Sequence, residues 1–215
     1  MKKNIISSRD AITLFHCFMT SAVIGWLYEV FVYYFEYHEG FVNRGFLFGP
    51  YLPVYGFGGL FSVLIFSKMK EKKIMLFKLN LTPLCLFVSE TVFLTAIELI
   101  TSYFLELLTG GNGFLWDYSA VNYGPEFQGR IALISSLRLG ILGLICIYIV
   151  SPSVSRIVRR ICNTKNGERT VKIITWVIFS VFAADALFHI LLSVPNAINY
   201  IRSLFSSASL FSAFR

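Results

Sequence analysis

Apolar residues fall in five long runs along the chain, separated by short stretches rich in lysine, arginine, glycine and proline. The runs cover Ala11–Phe35, Tyr51–Ser67, Thr82–Leu108, Ile131–Val150 and Val171–Val194. A helix needs about 20 predominantly apolar residues to cross the hydrocarbon core of a bilayer. Lipid leaves no backbone polar group satisfied except inside a helix or a closed barrel, and isolated apolar runs cannot close a barrel. The pattern therefore predicts an all-α fold, a polytopic transmembrane helix bundle of about five spans forming one domain over residues 1–194.

Two departures from simple spans are expected. The second run is the shortest, and Gly45, Gly49, Pro50 and Pro53 punctuate its approach. Such a stretch cannot be a uniform helix, so a broken or re-entrant segment is predicted before span two. At the other end, Pro195 separates span five from a tail, 195–215. There Ala197, Ile201, Leu204, Ala208 and Phe211 recur at helical spacing with serines between them. The tail reads as an amphipathic helix on the outer membrane surface. An inserted tail would make a sixth span.

Composition sharpens the class. Of 215 residues, 56% are hydrophobic and only 14% charged, where a soluble domain carries about a quarter charged residues. That excludes a soluble enzyme and a disordered chain. The net charge of +7 is read as topology and not as a nucleic-acid surface, because the basic residues sit in short loops. Fourteen fall on one side: Lys2, Lys3 and Arg9, then Lys68, Lys70, Lys72, Lys73 and Lys78, then Arg156, Arg159, Arg160, Lys165, Arg169 and Lys172. The other side has Arg44, Arg130, Arg202 and Arg215, and Arg138 lies inside span four. The asymmetry places the N-terminus in the cytoplasm. The first run is too long for a signal peptide, and no small-x-small cleavage site follows it, so it reads as a retained anchor. None of the four cysteines falls in an outer loop, and no disulfide framework is expected.

The candidate chemistry lies in ionisable residues within the spans, each of which is costly in lipid. They are Glu29, Glu90, Glu98, Arg138 and Asp185. At the helical rise, Glu29, Glu98, Arg138 and Asp185 share a layer roughly 10–15 Å below the outer surface. Arg138 is the cation of that layer, so Glu98 or Asp185 is its expected partner. Span three also carries a polar stripe, Thr91, Thr95, Glu98, Ser102, Glu106 and Thr109, within an arc of about 80°. The stripe reads either as a helix–helix interface or as the wall of a polar cavity. Asp185 and His189, four apart, share one helix face and read first as a hydrogen-bonded core pair. No P-loop, H-E-x-x-H, C-x-x-C or G-x-S-x-G sequence occurs, so no ATPase, metal or cofactor site is expected in this chain.

The outer loops carry the most specific patterns. Gly25-Trp26-Leu27-Tyr28-Glu29 precedes Asn43-Arg44-Gly45-Phe46-Leu47-Phe48-Gly49-Pro50 and Tyr51-Leu52-Pro53-Val54-Tyr55-Gly56-Phe57-Gly58. Trp116-Asp117-Tyr118-Ser119 and Gln128-Gly129-Arg130-Ile131 follow. In this order the set resembles the bacterial family described as putative ABC-transporter type IV, or CmpB-like, membrane proteins. The resemblance runs from Ala11 to about Val150 and leaves out span five and the tail. Glu126 and Leu139 depart from the family pattern, which usually has Asn and an aromatic residue there. The resemblance implies a multi-pass protein of the bacterial inner (plasma) membrane and a transport component, without naming a substrate.

Together these features predict a permease-like component with an outward-facing polar pocket. Its binding residues are expected to be Glu29, Asn43, Arg44, Glu98, Asp117, Tyr118, Arg130 and Arg138. Both outer loops lie on one face, so Arg44 and Arg130 are expected to meet Asp117, Glu126 or Glu29. Membrane lipids are the expected partners. Energy would come from a separate ATPase subunit or from an ion gradient. The alternatives are a membrane-embedded enzyme acting on a lipid or lipid-linked substrate, with a carboxylate or Asp185–His189 as base, and a non-catalytic scaffold.

Overall fold

The computed structural model describes residues 8–36, 38, 40–77, 79–110, 116–120 and 122–212, with only the backbone at 8, 9, 76 and 204–212. Lys2, Lys3, Lys78 and Arg215 lie outside the described residues, as do the side chains of Arg9, Leu204, Ala208 and Phe211.

Helices dominate. They are α1 (Ser8–Glu36), α2 (Pro53–Glu71), α3 (Thr82–Leu108), α4 (Leu133–Ile145), α5 (Ser151–Cys162) and α6 (Gly167–Ser212). Four helical stretches are long and apolar enough to cross a membrane: Asp10–Glu36, Thr82–Leu108, Leu133–Cys162 and Gly167–Ser203. The protein is therefore an all-α membrane protein. Span two is the exception to the expected five. At 19 residues, α2 is about 28 Å long, and its run of Gly56, Gly58 and Gly59 and its closing lysines lower its apolarity.

Local chemistry explains several boundaries. Pro53 opens α2, where its missing N–H is no loss. Thr82 ties the start of α3 to the end of α2: its hydroxyl donates to the Lys72 carbonyl at 2.9 Å and accepts from the Ile74 amide at 2.9 Å. Between them Met75–Leu76 pairs with Leu79–Asn80 in a small antiparallel hairpin, β1–β2.

Span four is longer than the apolar run suggested. From α4 the chain passes through a π-helical turn, Cys146–Val150, directly into α5. Pro152 sits just beyond that turn and cannot donate back to the preceding turn, and a π-bulge absorbs the mismatch without breaking the helix. Arg156, Arg159 and Arg160, expected in a loop, thus lie on a helix. Likewise the tail is not a separate helix. Pro195 lies inside α6, which runs unbroken over 46 residues. A membrane helix tolerates an internal proline when local adjustment satisfies the freed carbonyl.

The bundle has two distinct ends. One carries the α2–α3 hairpin, α5 and the start of α6, and it holds most of the described lysines and arginines. The other carries the irregular segments after α1 and α3, the loop end. Between them α1 packs on α2 and α3 on α4. Close approach depends on small residues: a Cβ at Gly59 would lie 2.2 Å from Ser21 Oγ, and one at Gly143 would lie 2.6 Å from Glu90 Oε2. A core of Cys17, Cys146, Val150, Val154, Val158 and Val171 fills the basic half.

Candidate functional site

Each family-like motif turns out to be a tether. On α1, Trp26 Nε1 donates to Asn43 Oδ1 at 2.7 Å, and Asn43 Nδ2 donates to the Phe48 carbonyl at 3.2 Å. The irregular segment between α1 and α2 is held in this way from one side. From the other, Asp185 on α6 accepts the Phe48 amide (3.3 Å), the Gly49 amide (3.1 Å) and the Tyr51 hydroxyl (2.6 Å). His189 Nδ1 lies 3.1 Å from Asp185 Oδ1, so the expected Asp185–His189 pair forms. Its larger task was not legible in the sequence: one carboxylate satisfies amides that a helix would otherwise have used.

The second irregular segment folds against a tight turn. Gln128 and Gly129 have φ of 54° and 66°, and the Arg130 amide donates to the Phe127 carbonyl at 2.9 Å. These are the features of a type I′ hairpin turn, here joining β3 (Glu126–Phe127) to β4 (Ile131–Ala132). Glu126 Oε2 accepts the Gly129 amide at 2.5 Å, which gives the departing residue a definite role. Trp116 Nε1 donates to the Arg130 carbonyl at 2.8 Å, and the Tyr118 amide donates to the Gly129 carbonyl at 2.8 Å.

The polar groups then sort into separate contacts. Glu98, only 8% exposed, accepts the Tyr118 hydroxyl at 2.8 Å and the Ser135 hydroxyl at 3.2 Å. Tyr55 donates to Glu29. Arg44 lies over the Tyr33 ring, 3.4 Å from its centroid, and within Coulombic reach of Glu29. Deeper in the bundle, Ser62 donates to the fully buried Glu90 at 2.6 Å.

Three expected pairings are corrected. Arg138 meets neither Glu98 nor Asp185; it pairs with Glu36 at the end of α1, at 2.9 Å, and also donates to the Tyr123 hydroxyl. Equal depth does not decide a partner when the helix faces are turned apart. Arg130 does not meet Asp117, Glu126 or Glu29; it pairs with Glu106 at 2.5 Å, donates to Ser102 at 3.3 Å and packs on Tyr103. Asp117 turns back on its own loop, accepting the Ser119 amide at 2.9 Å and hydroxyl at 2.7 Å. Those two donors hold its carboxyl below the usual range. The polar stripe on α3 splits accordingly. Ser102 and Glu106 bind Arg130. Thr91, Thr95 and Thr109 return their hydroxyls to carbonyls of their own helix.

At the loop end the helices leave a cavity of about 450 Å³. Of the eight expected residues, Glu29, Arg44, Glu98, Tyr118 and Arg138 line it, while Asn43, Asp117 and Arg130 do not. Tyr28, Tyr55 and Tyr123 also line it and were missed by sequence reasoning. Tyr55 stood within the P-V-Y-G motif, which was the signal available.

The chain belongs to the family described as "Putative ABC-transporter type IV", whose model matches residues 16–190. The match reaches into span five and includes Asp185 and His189, so the family likeness is not confined to the first four spans. No curated protein matches the chain, and no solved structure does.

Proposed function

We propose that this member of the family is the membrane-embedded, permease-like component of a transport system, with a ligand pocket at the loop end. The loop end faces the exterior and the basic end the cytoplasm of a bacterial plasma membrane, in keeping with the lysine and arginine asymmetry. The observation that carries the reading is the cavity of about 450 Å³ in which Glu29, Arg44, Glu98, Tyr118 and Arg138 converge. Its size lies within the range of ligand pockets, about 300–1,000 Å³. Intramembrane ionisable groups turned toward such a cavity mark substrate or ion pathways. Asn43 and Arg130 act at one remove, the first by holding the Gly-rich segment and the second by tying the Gln128–Gly129 turn to α3.

Energy comes from a separate ATPase subunit or from an ion gradient, since the chain has no P-loop. The test is native mass spectrometry of the full chain in nanodiscs loaded with a host lipid and metabolite extract. A bound species is expected on the wild type and is expected to be lost when Leu142, a cavity-lining residue, is changed to Trp. Equal retention by both proteins overturns the pocket.

A further inference from the structure

We infer that the cavity takes a single-chain amphiphile with a zwitterionic head, its head at the loop end and its chain directed toward the middle of the bundle. The inference rests on the pocket reading above and names its ligand class.

The charged residues of the lining are confined to its shallow part. Arg138 lies five residues into α4, about 8 Å from its start, whereas Gly143 and Cys146 lie about 15 and 20 Å in. Around the shallow part stand Arg44, Arg138, Glu29, Glu98 and Tyr118, beside Phe104, Leu105 and Leu108 of α3. Around the deeper part no charged residue stands in the lining; Leu94, Ile97, Leu142 and Ile145 from α3 and α4 and Phe57 from α2 dominate it, with only the small hydroxyls of Ser21 and Ser62 among them. A ligand filling both parts needs a polar end and an apolar end, oriented as lipids are oriented in a leaflet.

The charges choose the head. Arg44 and Arg138 present guanidiniums, Glu29 and Glu98 carboxylates, and Glu29 lies within Coulombic reach of both Arg44 and Glu98. Arg138 is bridged to Glu36. A purely anionic head would sit beside Glu29 and Glu98 as well as Arg44, and a purely cationic head beside Arg44 and Arg138 as well as the carboxylates. A head carrying both signs finds an opposite charge for each. Tyrosines 28, 55 and 118 line the same layer, and aromatic rings suit the cationic part of such a head.

The experiment is photo-crosslinking of the full chain in phosphatidylglycerol nanodiscs with a lysophosphatidylcholine bearing a diazirine near the end of its chain. Two probes with the same chain, one ending in a carboxylate and one in a trimethylammonium group, serve as comparison. Adducts are expected around Leu94–Ile97 and Leu142–Ile145, about tenfold above either comparison probe, a difference worth about 1.4 kcal/mol. Leu142→Trp on α4 and Thr101→Trp on α3, both cavity-lining positions, are each expected to cut those adducts. The second variant keeps the test sound if the first fails to fold. Equal labelling by all three probes overturns the zwitterionic head. Adducts confined to outward positions such as Val92 and Ile100, 67% and 69% exposed, overturn the amphiphile. Native mass spectrometry separates the two readings. A soluble species lost in Leu142→Trp, without lysolipid adducts, sinks this inference and keeps the pocket; an empty cavity sinks both.

Discussion

The Arg138 guanidinium on α4 reaches the Glu36 carboxylate, the last residue of α1, at 2.9 Å. It thereby closes the loop end across the bundle, between helices far apart in the chain. Tyr123 completes the contact, donating to Glu36 and accepting from Arg138 at 3.2 Å while its ring lies under the guanidinium.

Because both side chains of this bridge are about a third exposed, 30% and 38%, screening limits its worth. A double-mutant cycle with Arg138→Leu and Glu36→Leu should give a coupling of about 0.5–1 kcal/mol in thermal unfolding. Arg138→Leu with Glu98→Leu should show no coupling, since those two residues do not pair. Strong coupling in the second cycle and none in the first would restore the pairing expected from depth alone.

Asp185→Ala should loosen the segment between α1 and α2, because it strands the Phe48 and Gly49 amides and the Tyr51 hydroxyl together. The cost should be on the order of 3 kcal/mol. Hydrogen exchange at Phe48 and Gly49 should accelerate, and Asp185→Asn, which keeps one acceptor oxygen, should fall between. Unchanged exchange at both amides would show that the segment is held without α6.

Gly143→Ala should destabilise by about 1–3 kcal/mol through overpacking, since the new Cβ would sit 2.6 Å from Glu90 Oε2. Combining it with Glu90→Ala should recover part of the loss. If the two effects simply add, the contact between α3 and α4 is not the cause.

Asp117→Ala should leave the bundle's stability and ligand binding nearly unchanged, because among the described residues its hydrogen bonds go to Ser119. The pH dependence follows from its depressed ionisation. The Asx turn is kept above the carboxyl's unperturbed range and is lost as pH falls through the lowered folded value. Exchange protection of the Ser119 amide, followed from neutral to acid pH, should decline in that acidic window. Protection that stays constant into strong acid would contradict the assigned donors.

The sidedness is tested with cysteines at Ser119 and Thr164, exposed positions at opposite ends of the bundle, in a background lacking the native cysteines. An impermeant thiol reagent added to intact cells should label the first and not the second. The reverse pattern would invert the orientation, and equal labelling would remove it.

The length of the apolar runs determined the all-α membrane class, the positions of α1 and α3, the start of span four and the broken entry to α2, because each is a property of a contiguous stretch of chain. Charge counting likewise needed only the order of residues. The family motifs were legible as strings, but their use was not: Asn43 serves Trp26, Glu126 serves a turn amide, and Asp117 serves Ser119. Only the tertiary structure decided which carboxylate meets which arginine. Depth along a helix follows from residue number, whereas the direction a side chain faces depends on how neighbouring helices are rotated and on the path of the loops. Glu98 and Arg138 share a depth and still part company, the one turning to Tyr118 and Ser135, the other to Glu36. The continuation of α6 through Pro195 was likewise decided by the fold, since a proline's local penalty does not by itself end a helix whose surroundings can absorb it.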